Sequence, residues 1–228
     1  MLGKSLRFVG IILLGLTAVI TLLGGIGTTC VALDATRYEG MEAIARYQWL
    51  YIIYVIAGIG IGLLGIWATY LLLKARPRAY RMALAALLSG LVIGGLHMAT
   101  SRALRGSSMP KDFIVYATAF TLVVFLLFRL PGIRERVKLA GGDDHTTGLG
   151  ASAALLVAGI AIVTVELWAG QNHMIDGVNY AAVWSTQLTL LGTLLIMAGT
   201  SLGVWLLRRE ESRKIVSDPV QRPSRLIS

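Results

Sequence analysis

The run FVGIILLGLTAVITLLGGIGTTCVAL, residues 8–33, holds 26 consecutive residues without a charge. As a helix rising 1.5 Å per residue it would be about 39 Å long, more than the roughly 30 Å of bilayer hydrocarbon. Lys4 and Arg7 precede it, as cations precede a secretory signal. A signal core is only about 7–15 residues long and ends in a small-residue cleavage site. Here Gly27-Thr28-Thr29 before Cys30 also lacks the leucine that opens a lipoprotein box. The run reads as an uncleaved first transmembrane helix.

Five more uncharged runs follow, at 47–73, 82–101, 113–128, 145–165 and 177–207. The third of these is short, but helix-entry chemistry lengthens it. Ser107 or Ser108 can cap the first turn, and Pro110 suits a position where its missing N–H is harmless. Arg129 can snorkel at the far end, and Pro131 stops the helix near Leu130. The predicted spans are therefore 8–31, 48–73, 82–101, 109–130, 149–169 and 180–207. Together they make an all-α, polytopic six-helix domain over residues 1–207 with short connectors, followed by a charged tail, 208–228, predicted to be mobile. Composition agrees: 56% of the 228 residues are hydrophobic and 14% charged, with a mean hydropathy of +0.72. Soluble chains have about a quarter of their residues charged.

The formal net charge is +9. In a soluble protein this would suggest nucleic acid. In a membrane protein it reflects the Lys and Arg of cytoplasmic loops, so no nucleic-acid partner is expected. With six spans, 16 of the 21 cations fall on the side of the termini and 5 on the other. The positive-inside rule then places both termini in the cytoplasm and the chain in the cell (plasma) membrane, the bacterial inner membrane being a fitting case. Tyr38, Tyr47, Trp49, Tyr51, Trp168, Tyr180 and Trp184 fall near the outer boundary, as interfacial aromatic rings prefer. Tyr38, Met41 and Ile44 recur at threes in the first outer connector, which predicts a short interfacial helix.

Membrane helices associate through small residues that admit close backbone approach. Gly58, Gly62 and Gly65 share one face of the second helix, and Ile61 lies on another. Gly90 and Gly94 form the corresponding pair in the third helix. These five are the predicted packing residues.

No charged residue lies at mid-membrane, which argues against a proton relay or a typical ion-coupled carrier. Polar groups gather instead at the outer ends of the helices: Cys30, Asp34, His97, Ser101, Arg102, Arg105, Glu166, Gln171, His173 and Asp176. Three readings of this layer stand side by side. The groups can cap helix ends and pair with one another. They can bind a lipid headgroup, quinone or small anion through Arg102, Arg105 and the Gly106-Ser107-Ser108 backbone. They can hold a metal or haem through His97 and His173, with Glu166 or Cys30. The candidate ligand-binding residues are accordingly His97, Arg102, Arg105, Glu166 and His173, with no cofactor specified. His97, Arg102 and Glu166 are predicted to form one hydrogen-bonded group, because a carboxylate after 21 uncharged residues needs a cation or donor beside it. Cys30, the lone cysteine, excludes an internal disulfide and any multi-cysteine metal site. Nucleotide loops, serine elbows, paired-histidine zinc motifs and Cys-x-x-Cys are absent from the sequence.

These features fit a non-enzymatic accessory or structural subunit of a larger membrane assembly. Its expected partners are the bilayer and other membrane subunits, or a second copy. A small transporter or channel is the alternative, since three plus three helices permit an inverted repeat. An electron-transfer or quinone- or lipid-binding subunit with a site near the outer face is the third.

Overall fold

In lipid a lone segment can satisfy its backbone polar groups only as a helix. The computed structural model is helical almost throughout its described residues, 2–38, 40–133, 137, 144–170, 174–175 and 177–217. Helix α1 is Leu2–Leu33, α2 Gln48–Leu73, α3 Ala79–Arg105 and α4 Lys111–Leu127. Then follow α5 (Asp144–Val163), α6 (Val165–Ala169), α7 (Tyr180–Val183) and α8 (Ser185–Ser217). The extended structure among the described residues is a two-residue antiparallel ladder, β1 (Met174–Ile175) with β2 (Val178–Asn179). Gly177 turns it at a φ of +78°, a conformation that suits glycine.

Four stretches are long and apolar enough to cross a membrane: Leu6–Leu33, Glu42–Leu73, Ala79–Arg105 and Ser185–Ser212. The other two predicted spans are shorter or interrupted. The 109–130 element is α-helical only over Lys111–Leu127, with Pro110 at the N-cap rather than inside the first turn. Its far end tightens, the amides of Arg129 and Leu130 donating to Leu126 and Leu127 three residues back, at 2.9 and 3.1 Å. Serine capping of the backbone is not the device used, since Ser108 donates its hydroxyl to the Asp112 carboxylate. The 149–169 element breaks at Thr164, whose φ of −93° and ψ of 8° leave helical geometry while its hydroxyl bonds the Ile160 carbonyl at 2.8 Å. Helix α6 resumes for five residues.

The last element departs from expectation at both ends. It opens with the single turn α7, and α8 then runs ten residues past 207, to Ser217. The start of the predicted mobile tail is thus helix. Arg and Glu are good helix formers, and charge alone does not end a helix. Ser212 bonds the Arg208 carbonyl at 3.0 Å, and the Arg209 guanidinium lies 5.1 Å above the Trp205 ring. Residues 218–228 lie outside the described residues.

The helices group as four and two, not as two sets of three. Helices α1, α2, α3 and α4 pack in a ring, each against the next and α4 against α1. Helices α5 and α8 pack on each other, and α5 docks the pair onto α1. Small residues set most of these approaches. A Cβ on Gly62 would fall 2.7 Å from the Leu22 Cα, and one on Gly65 would fall 2.7 Å from the Ala18 Cβ. A Cβ on Gly58 would fall 3.5 Å from the Gly25 Cα. The glycine face of α2 therefore lies on α1. Ile61 is not on a free face, for it is half-buried and a Cβ on Gly90 of α3 would fall 3.4 Å from its side chain. A Cβ on Gly94 would fall 3.1 Å from the Val115 side chain of α4, and one on Gly150 of α5 3.2 Å from Ile11 of α1.

Side chains fill the ring. Ile11, Leu14, Ala68, Leu72, Ala83, Leu87, Leu122 and Phe125 form its main core. Two pairs of polar groups inside it are matched: the Thr17 and Thr121 hydroxyls share a 2.8 Å hydrogen bond between α1 and α4, and the Tyr80 hydroxyl donates to the Phe125 carbonyl at 2.8 Å. Arg7, almost fully buried, donates to the Leu72 carbonyl at 2.8 Å. At the opposite end the 34–47 connector contains two short 3-10 helices, Ala35–Arg37 and Glu42–Tyr47. It plugs Ile44 into a second cluster with Ala32, Ala35, Tyr51 and Val55, which draws the connector over the helix ends.

Candidate functional site

The polar groups of interest lie beneath that connector, where α2 begins, α3 ends and α4 begins. Tyr51 and Tyr54 are one turn apart on α2, so both rings face α3. The Tyr51 and Ser101 hydroxyls share a hydrogen bond of 2.8 Å, and those of Tyr54 and Thr100 one of 3.0 Å. His97 sits between the two rings. It stacks on Tyr54, with centroids 4.7 Å apart and planes 10° apart, and meets the edge of Tyr51 at 5.1 Å and 89°. Only 5% of His97 is exposed, and its Nδ1 has no hydrogen-bond partner. A buried polar atom without a partner carries a desolvation penalty of about 1–3 kcal/mol.

The two arginines at the end of α3 have different surroundings. Arg102 pairs with Asp112 of α4 at 3.1 Å and donates to the Ser108 and Tyr116 hydroxyls at 3.1 and 3.4 Å. Ser108 donates in turn to Asp112. Arg105 instead points one guanidinium nitrogen at the Met41 sulfur, 2.9 Å away, while its Nε is shielded from solvent and unpartnered. A thioether is a weak acceptor and leaves the arginine charge uncompensated. Lys111 is partly buried, and its chain lies along Gly94 of α3, one turn from His97. The ion pairs among the described residues are Arg37–Asp34 and Arg102–Asp112, so neither Arg105 nor Lys111 has a carboxylate partner there.

The predicted group of His97, Arg102 and Glu166 does not form. Glu166 is exposed on α6, which packs on α5 and α7, and the carboxylate that meets Arg102 is Asp112. Chain connection explains this: a short turn links α3 to α4 and brings Asp112 beside Arg102. His173 lies outside the described residues. Cys30 is exposed, and no group of three or more His, Cys, Asp and Glu that could hold a metal occurs among the described residues. Asp34, in the connector, accepts from the Thr36 hydroxyl at 2.6 Å and from Arg37 at 2.8 Å, and these donors hold its carboxyl below the usual carboxylate range.

Sequence reasoning did not single out Tyr54 or Asp112, counted Lys111 only among the connector cations, and placed Tyr51 among the interfacial aromatics. The spacing of Tyr51 and Tyr54 was the available signal, because three residues apart on a helix means one shared face. Comparison with protein families, with curated proteins and with solved structures found no match to this chain.

Proposed function

We propose that the chain is a six-span protein of the plasma membrane, with both termini in the cytoplasm, serving as an accessory or structural subunit of a larger membrane assembly. The two shorter elements fit spanning roles. Residues 111–130, helix and closing turns together, would reach about 30 Å at helical rise. Helices α5 and α6 run almost end to end across Thr164. The excess of cations on the side of the termini supports the orientation.

The observation that carries the subunit reading is the outer face of α8. Of the four long apolar stretches this helix is the least covered by the rest of the chain. Its uncovered surface nevertheless carries Thr186, Gln187, Thr189, Thr193 and Ser201, whereas the Thr200 hydroxyl there is already bonded to the Ile196 carbonyl at 2.8 Å. Lipid offers such groups no hydrogen bond, whereas a neighbouring helix does. A partner helix is the natural cover.

A Cys30→Ser background allows single cysteines to test both parts. Ala75→Cys should label from the cytoplasm, and Gly40→Cys and Gly106→Cys from outside; labelling of position 106 from the cytoplasm overturns the topology. A photo-crosslinker attached at Thr193→Cys in native membranes should capture a protein chain, while one at Val92→Cys, on an exposed apolar face of α3, should capture lipid. Lipid adducts alone from both positions would remove the subunit reading.

A further inference from the structure

The partner that the subunit reading gives to α8 can be named from what the uncovered face carries. Packed chiefly on α5, α8 meets it through Gly192, Gly199 and Gly203 and turns its other side outward. On that side Leu190, Leu194, Met197, Ser201, Val204, Arg208 and Glu211 are all exposed. They follow one another at alternating steps of four and three over about three heptads. This spacing keeps one edge of a helix against a parallel neighbour.

Lipid covers the apolar part of this edge as readily as protein does, so Leu190, Leu194, Met197 and Val204 do not identify a partner. The other three positions do. Ser201 interrupts the apolar edge with a hydroxyl, a group that both donates and accepts. Arg208 and Glu211 stand one turn apart at the charged end of the same edge. The ion pairs among the described residues are Arg37–Asp34 and Arg102–Asp112, so Arg208 and Glu211 are not paired there, even with each other. The edge thus ends in one exposed cation and one exposed anion at coiled-coil spacing.

We propose that a second copy of this chain covers α8, the two helices lying parallel about a twofold axis along the edge from Leu190 to Glu211. Copies of one membrane protein share a topology, so two such helices run parallel and their contact is isologous. In a parallel seam the side chain at 208 enters the space between 204, 207, 208 and 211 of the facing helix. Arg208 of each copy then reaches Glu211 of the other, twice over by symmetry. The repulsion between the two arginines is offset by the carboxylates beside them. Ser201 faces its own copy, one hydroxyl donating to the other. The edge is therefore complementary to itself in charge and in hydrogen bonding. An antiparallel neighbour of the same sequence would set Arg208 and Glu211 against apolar side chains instead.

The full chain in intact membranes provides the test, in two arms. In the first, single cysteines are placed along α8 in a Cys30→Ser background and oxidised with copper phenanthroline. Disulfide-linked pairs of twice the 24.5 kDa chain should form at Leu190→Cys, Leu194→Cys, Met197→Cys and Ser201→Cys. Leu191→Cys, also exposed but about 100° round the helix from Leu190, should link weakly, and so should Val92→Cys on α3. In the second arm, differently tagged copies are coexpressed and one tag is used to retrieve the other. Arg208→Glu and Glu211→Arg each set like charges across the seam, so each variant should retrieve its own kind severalfold less well than wild type. Coexpressed with one another they should recover retrieval, because each supplies the charge the other lacks; an ion pair acting only within its own helix gives no such preference. Both positions are exposed, which keeps this arm decisive if a cysteine variant fails to fold. The proposal is overturned if no linked pair forms, if disulfide yield is even along α8, or if the two charge variants retrieve each other no better than themselves. Cross-linking of α8 only to a different chain overturns it too but leaves the subunit reading standing, whereas lipid adducts alone remove both.

Discussion

The α1–α4 ring and the α5–α8 pair solve the same packing problem with different chemistry. In the ring, glycine contacts between α1 and α2 are supplemented by side-chain hydrogen bonds from helix to helix, such as Thr17–Thr121 and Tyr51–Ser101, and by aromatic filling around Phe125 and Phe128. In the pair, backbones nearly touch. A Cβ on Gly159 would lie 2.6 Å from the Gly192 carbonyl oxygen, one on Gly192 2.8 Å from that of Gly159, and one on Gly199 2.9 Å from that of Ser152. A single side-chain hydrogen bond, Ser152 to the Gly199 carbonyl at 2.8 Å, crosses between them among the described residues. The ring has redundant ties; the pair depends on the absence of side chains.

Gly192→Leu puts the largest strain on this distinction. It should destabilise the α5–α8 contact by about 3 kcal/mol or more, because the added carbons meet the Gly159 and Val163 backbone and the stiff, β-branched Val163 side chain. Hydrogen-exchange protection should fall in α5 and α8 and persist in α1–α4. Equal loss of protection in all six long helices would mean that ring and pair form one cooperative unit. Gly62→Leu should do the reverse, loosening α1 and α2 by a similar amount, while Leu63→Ala, on an exposed position, should change little.

The redundancy of the ring predicts smaller effects for its polar ties. Thr17→Val, which keeps shape and removes one hydroxyl, should cost about 0.5–1.5 kcal/mol in unfolding free energy. A loss as large as that of Gly62→Leu would make the hydroxyl pair, not the glycine face, the main fastening of α1. The smallest effect expected is at the Arg102–Asp112 pair, where Arg102 remains half exposed and screened by solvent. Arg102→Ala should shift the unfolding midpoint least of all these changes, and Arg102→Ala with Asp112→Ala no further, since the single change leaves the carboxylate with fewer donors. A double variant clearly worse than the single one would show that the pair's value lies outside its mutual attraction.

The long helices were legible because lipid imposes a coarse rule: an uncharged run of sufficient length must be helix. Interruptions were not legible, because they turn on local geometry. Nothing in the sequence around Thr164 resembles a breaker; neither Gly nor Pro stands there, and the hydroxyl that bends back to Ile160 is common in unbroken helices too. The far end of α8 was misjudged for a different reason. Arg208, Arg209, Glu210 and Glu211 mark the end of the apolar stretch, and the end of apolarity was equated with the end of the helix. At the candidate site, His97, Arg102 and Arg105 were picked out by residue type and depth. Which carboxylate would meet Arg102 depended on the turn between α3 and α4, and one-dimensional spacing does not report that turn. Lys111 was counted as a connector charge because it follows Pro110, although its chain turns inward along Gly94.

The unbroken passage of α8 from apolar to charged sequence has a mechanical consequence. With no glycine or proline between Val204 and Ser217, the charged segment and the apolar one are a single rod. The ten residues beyond 207 extend about 15 Å at helical rise. Any body that grips Arg208–Ser217 therefore holds a lever whose fulcrum is the glycine seam with α5. A twist applied to the charged end is delivered to the seam as torsion, where Gly199 and Gly203 leave little slack to absorb it.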